Sequence, residues 1–499
     1  MDNLLSILIF IPLLAAVILA IFLRGDDEAA QQNAKWLGVT ATGSTFFVAI
    51  ILYLAFDAAN AGTQLIEERE FPLGLTYRIG VDGLSLPFVM ALTALMPIVI
   101  GIAWSMTERL RDFVIALLVF ETLALGALLA LEVPLFVLFF ETAIIPLLVM
   151  CASWGGKDAP HTAVKSALYM VPGAVLLAVA LGMMARQVGT ADMSAFMLHN
   201  FAADSVDVLG LEVKGGTQTL LVLALALSLG AKLTIWPLHG WAREAVTMAP
   251  MAASIAMIGA LPLVGAYAVL RLPLAMLPEG LLVVAPYAMA LAIIGAVYGA
   301  LAGLRQEDAK RLLAYALGGQ AGLVLIGLVG ATQQGIDGAV LLAVSRGFAI
   351  AGLFFVLAML ELRMGSRAFE TFGGLRCNLK SMGFFTLFFV VAALGVPGTG
   401  GFVGQLLIFI GTFGVASWAV LGGALAIACL AVALFAFHKK LMLGELVKES
   451  LKVLSDLDGR ERFICVLLGA VLILLGLMPR LITGPIGASV GSLVALYGG

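Results

Sequence analysis

The sequence predicts an all-α polytopic membrane protein of about fourteen spanning helices, and three observations predict it. Of 499 residues, 62% are hydrophobic and only 12% charged, against roughly 45–50% and 25% in soluble domains. The apolar excess runs evenly from Leu4 to Tyr497 instead of gathering into one buried core. Finally, Lys and Arg fall between the apolar runs, in alternate loops.

A span needs about 20 predominantly apolar residues. Such runs occur near 4–23, 36–56, 84–104, 113–131, 133–151, 164–186 and 218–238, and again near 251–271, 280–303, 311–330, 337–360, 382–411, 415–437 and 463–482. The first has no basic segment before it and no AxA-like cleavage site, so it is expected to be a retained helix, not a signal peptide. An even count puts both termini on one side. With the N-terminus outside, the inner loops hold about twenty of the 28 Lys and Arg. The outer side keeps Arg69, Arg78, Arg186, Lys214, Arg271 and Arg480, while Lys232 and Arg346 stay within spans. That is the positive-inside bias, and both termini are expected on the non-cytoplasmic side.

Two segments do not span. In 57–82, Phe71, Leu73, Leu75, Tyr77 and Ile79 alternate with polar or small residues, which suits a strand or hairpin outside the membrane. In Leu443–Leu457, leucines and valines recur near helical spacing opposite Lys and Glu, which suits an amphipathic helix on the inner surface. A solvated loop is the alternative for that stretch.

Several function classes are excluded. A net charge of -3 without a basic tail leaves no nucleic-acid footprint. Cys151, Cys377, Cys429 and Cys465 stand too far apart for a disulfide framework or a zinc or iron–sulfur site. No GxGxxG fingerprint or GxxxxGK[ST] loop occurs, so energy must come from partners or a gradient.

Two corresponding runs are interrupted by helix breakers. They are LGAKLTIWPLHGW (229–241), expected to carry Pro237 inside an apolar helix, and LGVPGTGGFVGQLL (394–407), with Pro397 among glycines. They lie about five spans apart, suiting two five-helix units at 113–271 and 280–437. Residues 1–112 then form N-terminal helices with an outer loop, and 438–499 an amphipathic surface helix plus a final span.

A charge at the bilayer centre costs at least about 2.5–3.5 kcal/mol, so each needs a partner, water or a purpose. Glu141, Lys232, Glu121, Lys165 and Arg346 all fall in apolar runs. Glu141 and Lys232 are opposite charges at similar depth. Packed together they can share or release a proton as water enters, or they can simply lock helices as a static ion pair. His239 follows Pro237 and suits either a proton relay or a structural hydrogen bond. Gln320 and Arg346 lie near the middle of consecutive spans, polar enough to hold water, and Arg346 cannot titrate.

The stretches VDGLSLPFV (81–89), LFVLFFETAIIP (135–146), AKLTIWPLHGW (231–241), EDAKRLLAYA (307–316) and LGVPGTGGFVGQ (394–405) resemble the subunit M family of bacterial NADH-quinone oxidoreductase (complex I), its antiporter-like proton-channel subunits. The resemblance covers essentially the whole chain. It implies an antiporter-like fold of two inverted five-helix repeats with broken helices. It also implies Glu141 as proton-affinity switch and Lys232 as central proton carrier, with Glu121, Lys165 and His239 at polar positions of the path. The second half departs from the family pattern: Leu263 stands where the family has lysine, Gln320 and Arg346 where it has histidines, and Gln405 where it has glutamate or lysine.

The resemblance further implies a non-redox membrane-arm subunit that moves protons in response to quinone reduction elsewhere. No cofactor is expected in this chain, while the complex as a whole uses NADH, FMN, iron–sulfur clusters and quinone. Expected partners are the L-type and N-type antiporter-like subunits and lipids, in the bacterial inner membrane with both termini periplasmic. A cation/proton antiporter or hydrogenase-linked homologue, and a non-conducting scaffold subunit, are the alternatives.

Overall fold

Inside a bilayer a backbone N–H or C=O left unbonded costs several kcal/mol, so apolar runs close their hydrogen bonds within themselves as helices. The computed structural model describes residues 3–23, 28–71, 75–106, 108–208, 211–444, 451 and 454–498. Helices α1 (Leu4–Ile21) and α2 (Glu28–Ala55) lead into an antiparallel hairpin, β1 (Gln64–Phe71) and β2 (Leu75–Val81), with Arg69 opposite Tyr77. This is the hairpin expected over 57–82. Its Glu67 carboxylate accepts from Leu5 N at 2.7 Å and Ser6 N at 3.1 Å, so it satisfies first-turn donors of α1 that have no partner inside the helix.

The chain continues as α3 (Leu86–Ala103), α4 (Leu110–Leu129), α5 (Val133–Thr142), α6 (Ile144–Trp154), α7 (Ala159–Val188) and the short α8 (Met193–Leu198). A small hairpin, β3 (Val206–Val208) and β4 (Leu211–Val213), precedes α9 (Gly216–Lys232) and α10 (Gly240–Met248). Next comes an apolar stretch, Met251–Leu274, built from α11 (Met251–Ile255) and α12 (Leu261–Val269) with π-helical turns at Ala256–Ala260 and Leu270–Leu274. Pro262 and Pro273 lack the N–H that would bond back into those turns. Then follow α13 (Pro278–Leu304), α14 (Ala309–Gly319), α15 (Ala321–Val329), α16 (Gln333–Met364), α17 (Lys380–Leu394), α18 (Gly400–Phe413), α19 (Ser417–Met442), α20 (Gly459–Leu477) and α21 (Arg480–Val494).

Burial separates centre from rim. The most apolar stretches of Met251–Leu274 and α16 are entirely buried, whereas those of α1, α2, α7, α13 and α19 are 33–39% buried and turn an apolar face outward. The centre is close-packed through small residues. A Cβ placed on Gly338 of α16 would lie 2.6 Å from the Gly404 carbonyl oxygen of α18, so only glycine permits that approach.

Among the described residues, eleven helices are long and apolar enough to span, or up to twelve if α20 and α21, bent by 53°, form one span. The rest of the expected fourteen falls on runs that breaks shorten. The run 382–411 is two helices, separated where Gly395 and Gly398 take φ of 75° and 96°. Helix α9 stops at Lys232, so Pro237 lies outside any helix, in a non-helical link that carries a cis Trp236–Pro237 bond and Thr234 at φ 61°. The surface helix expected over 443–457 lies largely outside the described residues.

Candidate functional site

The break after α9 sets the site. Proline cannot continue the helix, and carbonyls freed by the turn find other donors: Ile235 N donates to Gly230 O at 2.8 Å and Trp241 Nε1 to Ala231 O at 3.0 Å. Lys232, the last residue of α9, is 1% exposed. Its Nζ donates to Glu141 Oε2 at 2.5 Å and to Ser228 Oγ at 3.3 Å, and Ser228 Oγ donates to Glu141 Oε1 at 2.6 Å. The ammonium also stands 4.2 Å from the centre of the Phe140 ring. Glu141 lies in the last turn of α5, beside the interruption at Ala143 that separates α5 from α6. Pro146 in the first turn of α6 leaves the Thr142 carbonyl without its helical donor, which accounts for that interruption. From the other side Gly265 packs so closely that a Cβ there would meet Leu233 N at 3.1 Å. The expected pair is therefore in contact at a helix break, with Lys232 buried and the Glu141 side chain 15% exposed.

The other first-half candidates differ in surroundings. Glu121 on α4 is fully buried, and neither carboxylate oxygen has a hydrogen-bond partner among the described residues. His239 at the start of α10 is buried, neither ring nitrogen has a hydrogen-bond partner among the described residues, and its ring stands edge-on to Tyr298 at 6.0 Å. Lys165, expected near the start of its span, has a side chain that is 61% exposed and pairs with Glu244 at 2.9 Å.

In the second half Gln320 and Arg346 are tied to main-chain carbonyls, while the Gln405 amide nitrogen has no partner among the described residues. Gln320, between α14 and α15, donates to Ala393 O at 2.7 Å, near the break after α17. Arg346 on α16 donates to Leu317 O at 2.9 Å, with no carboxylate in ion-pair range among the described residues. Gln405 is buried with its amide against Gly395, where an added Cβ would lie 2.6 Å from Oε1. Leu263 is buried in α12. The two halves meet at the same place, since Thr234 Oγ1 of the first break donates to Gly318 O at 3.4 Å.

Two buried charges were assigned to loops by sequence. Arg271 pairs with Asp82 at 2.6 Å, both nearly inaccessible, and its Nε donates to Tyr267 Oη at 3.0 Å. Asp82 lies in VDGLSLPFV, so the motif was visible, but its partner stood at the edge of an apolar run and read as an outer residue. Lys310 is likewise buried. Both belong to first or last turns, where hydropathy alone does not decide depth. Among the described residues no three His, Cys, Asp or Glu side chains gather as a metal site.

Residues 130–432 match the family described as NADH:quinone oxidoreductase/Mrp antiporter, TM. Over 498 residues the chain is 40% identical to NADH-quinone oxidoreductase subunit M of Rhodobacter capsulatus, covering 100% of this chain and 97% of that protein. Its fold is similar to a chain of respiratory complex I from Thermus thermophilus with bound NADH, with a TM-score of 0.85, 24% identity and coverage of 98% and 99%. It is also similar to a chain of the Mrp complex from Dietzia sp. DQ12-45-1b, with a TM-score of 0.83, 15% identity and coverage of 99% and 97%.

Proposed function

Since the chain belongs to the NADH:quinone oxidoreductase/Mrp antiporter transmembrane family, in its subunit M group, we propose that it serves in the membrane arm of a proton-translocating NADH-quinone oxidoreductase. There it moves protons past Glu141 and Lys232 while quinone is reduced elsewhere. The observation that carries this reading is the contact of the buried Lys232 Nζ with Glu141 Oε2 at 2.5 Å, placed where α9 breaks.

Burial favours an uncharged amine, and a carboxylate beside it favours the ammonium. While Glu141 stays in contact, Lys232 keeps its proton. When movement at the α5–α6 interruption or the α9 break carries the carboxylate away, the ammonium faces apolar surroundings alone and gives up the proton to water. Ser228 Oγ, bonded to both groups, holds the closed geometry. In this reading 113–271 and 280–437 act as two five-helix units, L-type and N-type subunits are the neighbours, and this chain binds no cofactor. It lies in the bacterial inner membrane with both termini periplasmic.

The test is proton uptake per NADH oxidised by the intact complex in proteoliposomes, native against Lys232→Ala at matched assembly. Loss of proton uptake together with slowed quinone reduction is expected. Unchanged values would sink the reading and favour a non-conducting scaffold, an alternative supported by the fixed carbonyl bonds of Gln320 and Arg346.

A further inference from the structure

At the Lys- and Arg-rich end of the bundle, the C-terminus of α6, the α10–α11 link and the C-terminus of α16 surround an open cavity of about 260 Å³. A second cavity of about 330 Å³ adjoins it, sharing Trp154, Pro250, Met251 and Glu361. A water occupies about 30 Å³ in the liquid, so several fit. Lys310, in the first turn of α14, lines the smaller cavity although it is 1% exposed.

Its Nζ donates to Ala249 O. An ammonium has three N–H groups, so two remain for cavity water. Among the described residues no carboxylate lies within ion-pair range of it. Its neighbour Arg367 is instead shared between Asp308 and Glu361, each at 3.5 Å. A buried charge without a counterion in contact is expensive, and here it lines an open cavity large enough for water, on the side from which protons would be drawn.

Lys310 is also connected inward. Ala249 directly follows α10, the helix that begins at the first break. Helix α14 ends where Leu317 O and Gly318 O receive Arg346 and Thr234.

We propose that Lys310 is the group through which protons enter the chain from the Lys- and Arg-rich side. The step balances: the amine lone pair takes a proton from a cavity hydronium, leaving water, and the ammonium later returns one N–H proton to a water on its inner side. This rests on the proton-moving reading above.

The charged groups bearing on Lys310 are Arg367, Glu361, Asp308 and the Cys151 thiol. Of those on the other helices packed against α14, Arg243 donates to Tyr298 Oη at 3.1 Å, Glu244 holds Lys165, Lys440 lies over Phe369, His438 is buried, and Arg305 and Lys439 are exposed at the helix ends.

The test uses the intact complex in proteoliposomes with Lys310→Arg, Lys310→His and Lys232→Ala at matched assembly. Arginine keeps the charge and a donor for Ala249 O but does not release a proton, so Lys310→Arg is expected to lose as large a share of proton uptake per NADH as Lys232→Ala. Histidine exchanges protons at lower pH, so Lys310→His is expected to restore uptake with its pH profile moved at least ~1 unit to acid. Native uptake in Lys310→Arg, or an unmoved profile in Lys310→His, overturns the inference and leaves Lys310 as a tether. If Lys232→Ala is itself silent, the underlying reading fails as well. A second measurement does not depend on those variants assembling. Gly156 lines the cavity and has room for a side chain, so Gly156→Cys is treated with a charged, membrane-impermeant thiol reagent. Relative to the treated native chain, whose exposed cysteine is Cys377, blocked uptake supports the port and undiminished uptake overturns it.

Discussion

Lys232 and Arg346 are both cations sunk in apolar helices, yet their chemistry differs. Lys232 has a carboxylate partner and can lose a proton, while Arg346 rests on a carbonyl and keeps its proton at any physiological pH. With Leu263, Gln320 and Gln405, the second half therefore offers no side chain that exchanges protons near neutrality at four positions where the family resemblance implies one. Restoring two of them with Leu263→Lys plus Gln405→Glu is expected to raise proton uptake per NADH in the reconstituted complex and add a pH-dependent carboxylate band in the infrared. A flat yield without a new band would show that missing titratable groups do not limit this half. The Glu141–Lys232 pair was legible in the sequence because a charge in an apolar run stands out. Lys310 and Arg271 were not, because at the edge of a run the same charge looks like part of a loop.

The breaks were legible at the level of elements as well, since Pro237, Pro397 and the glycines around them cannot sustain regular helix. The π-helical turns near Pro262 and Pro273 were not, because nothing in composition separates a π-turn from an α-turn. Another feature hidden from local sequence is the cap of α17. Asp456, far along the chain, accepts from Ser381 N at 2.8 Å and Met382 N at 3.1 Å. Burial opposes its ionised form, but backbone hydrogen bonds from Ser381, Leu457 and Met382 hold its pKa below the ordinary aspartate value. A lowered folded-state pKa means that the stabilisation is complete above the unfolded value near ~4 and is lost as pH falls through the folded one. Asp456→Ala is thus expected to weaken the start of α17 by about 0.5–2 kcal/mol at neutral pH, seen as faster hydrogen exchange over 380–394. The difference from the native chain should shrink at pH below ~4. Equal exchange at pH 7 would show that the cap contributes nothing.

For the whole molecule, the alternation of Lys and Arg between loops is the feature that predicts orientation. That bias predicts a C-terminus outside. Alkaline phosphatase fused after residue 499 is expected to be active in intact cells and green fluorescent protein at the same point dark; the reverse pattern would invert the topology. The overall class was readable because a bilayer leaves so few backbone solutions. Which helices form the centre was less so. Helix α16 and α13 have similar apolar content, yet one is enclosed and the other faces outward, a distinction set by which distant segments pack around each and not by its own composition.

Arg346 has one more consequence, for a chain at rest. Two unit charges about 4 Å apart interact by about 4 kcal/mol at an effective dielectric of 20. A sodium or potassium ion brought that close to Arg346 would meet fixed repulsion that no pH change removes, a disadvantage of roughly a thousandfold. In a chain that moves protons as proposed, water in the interior risks short-circuiting the gradient, and this guanidinium would insulate against that leak.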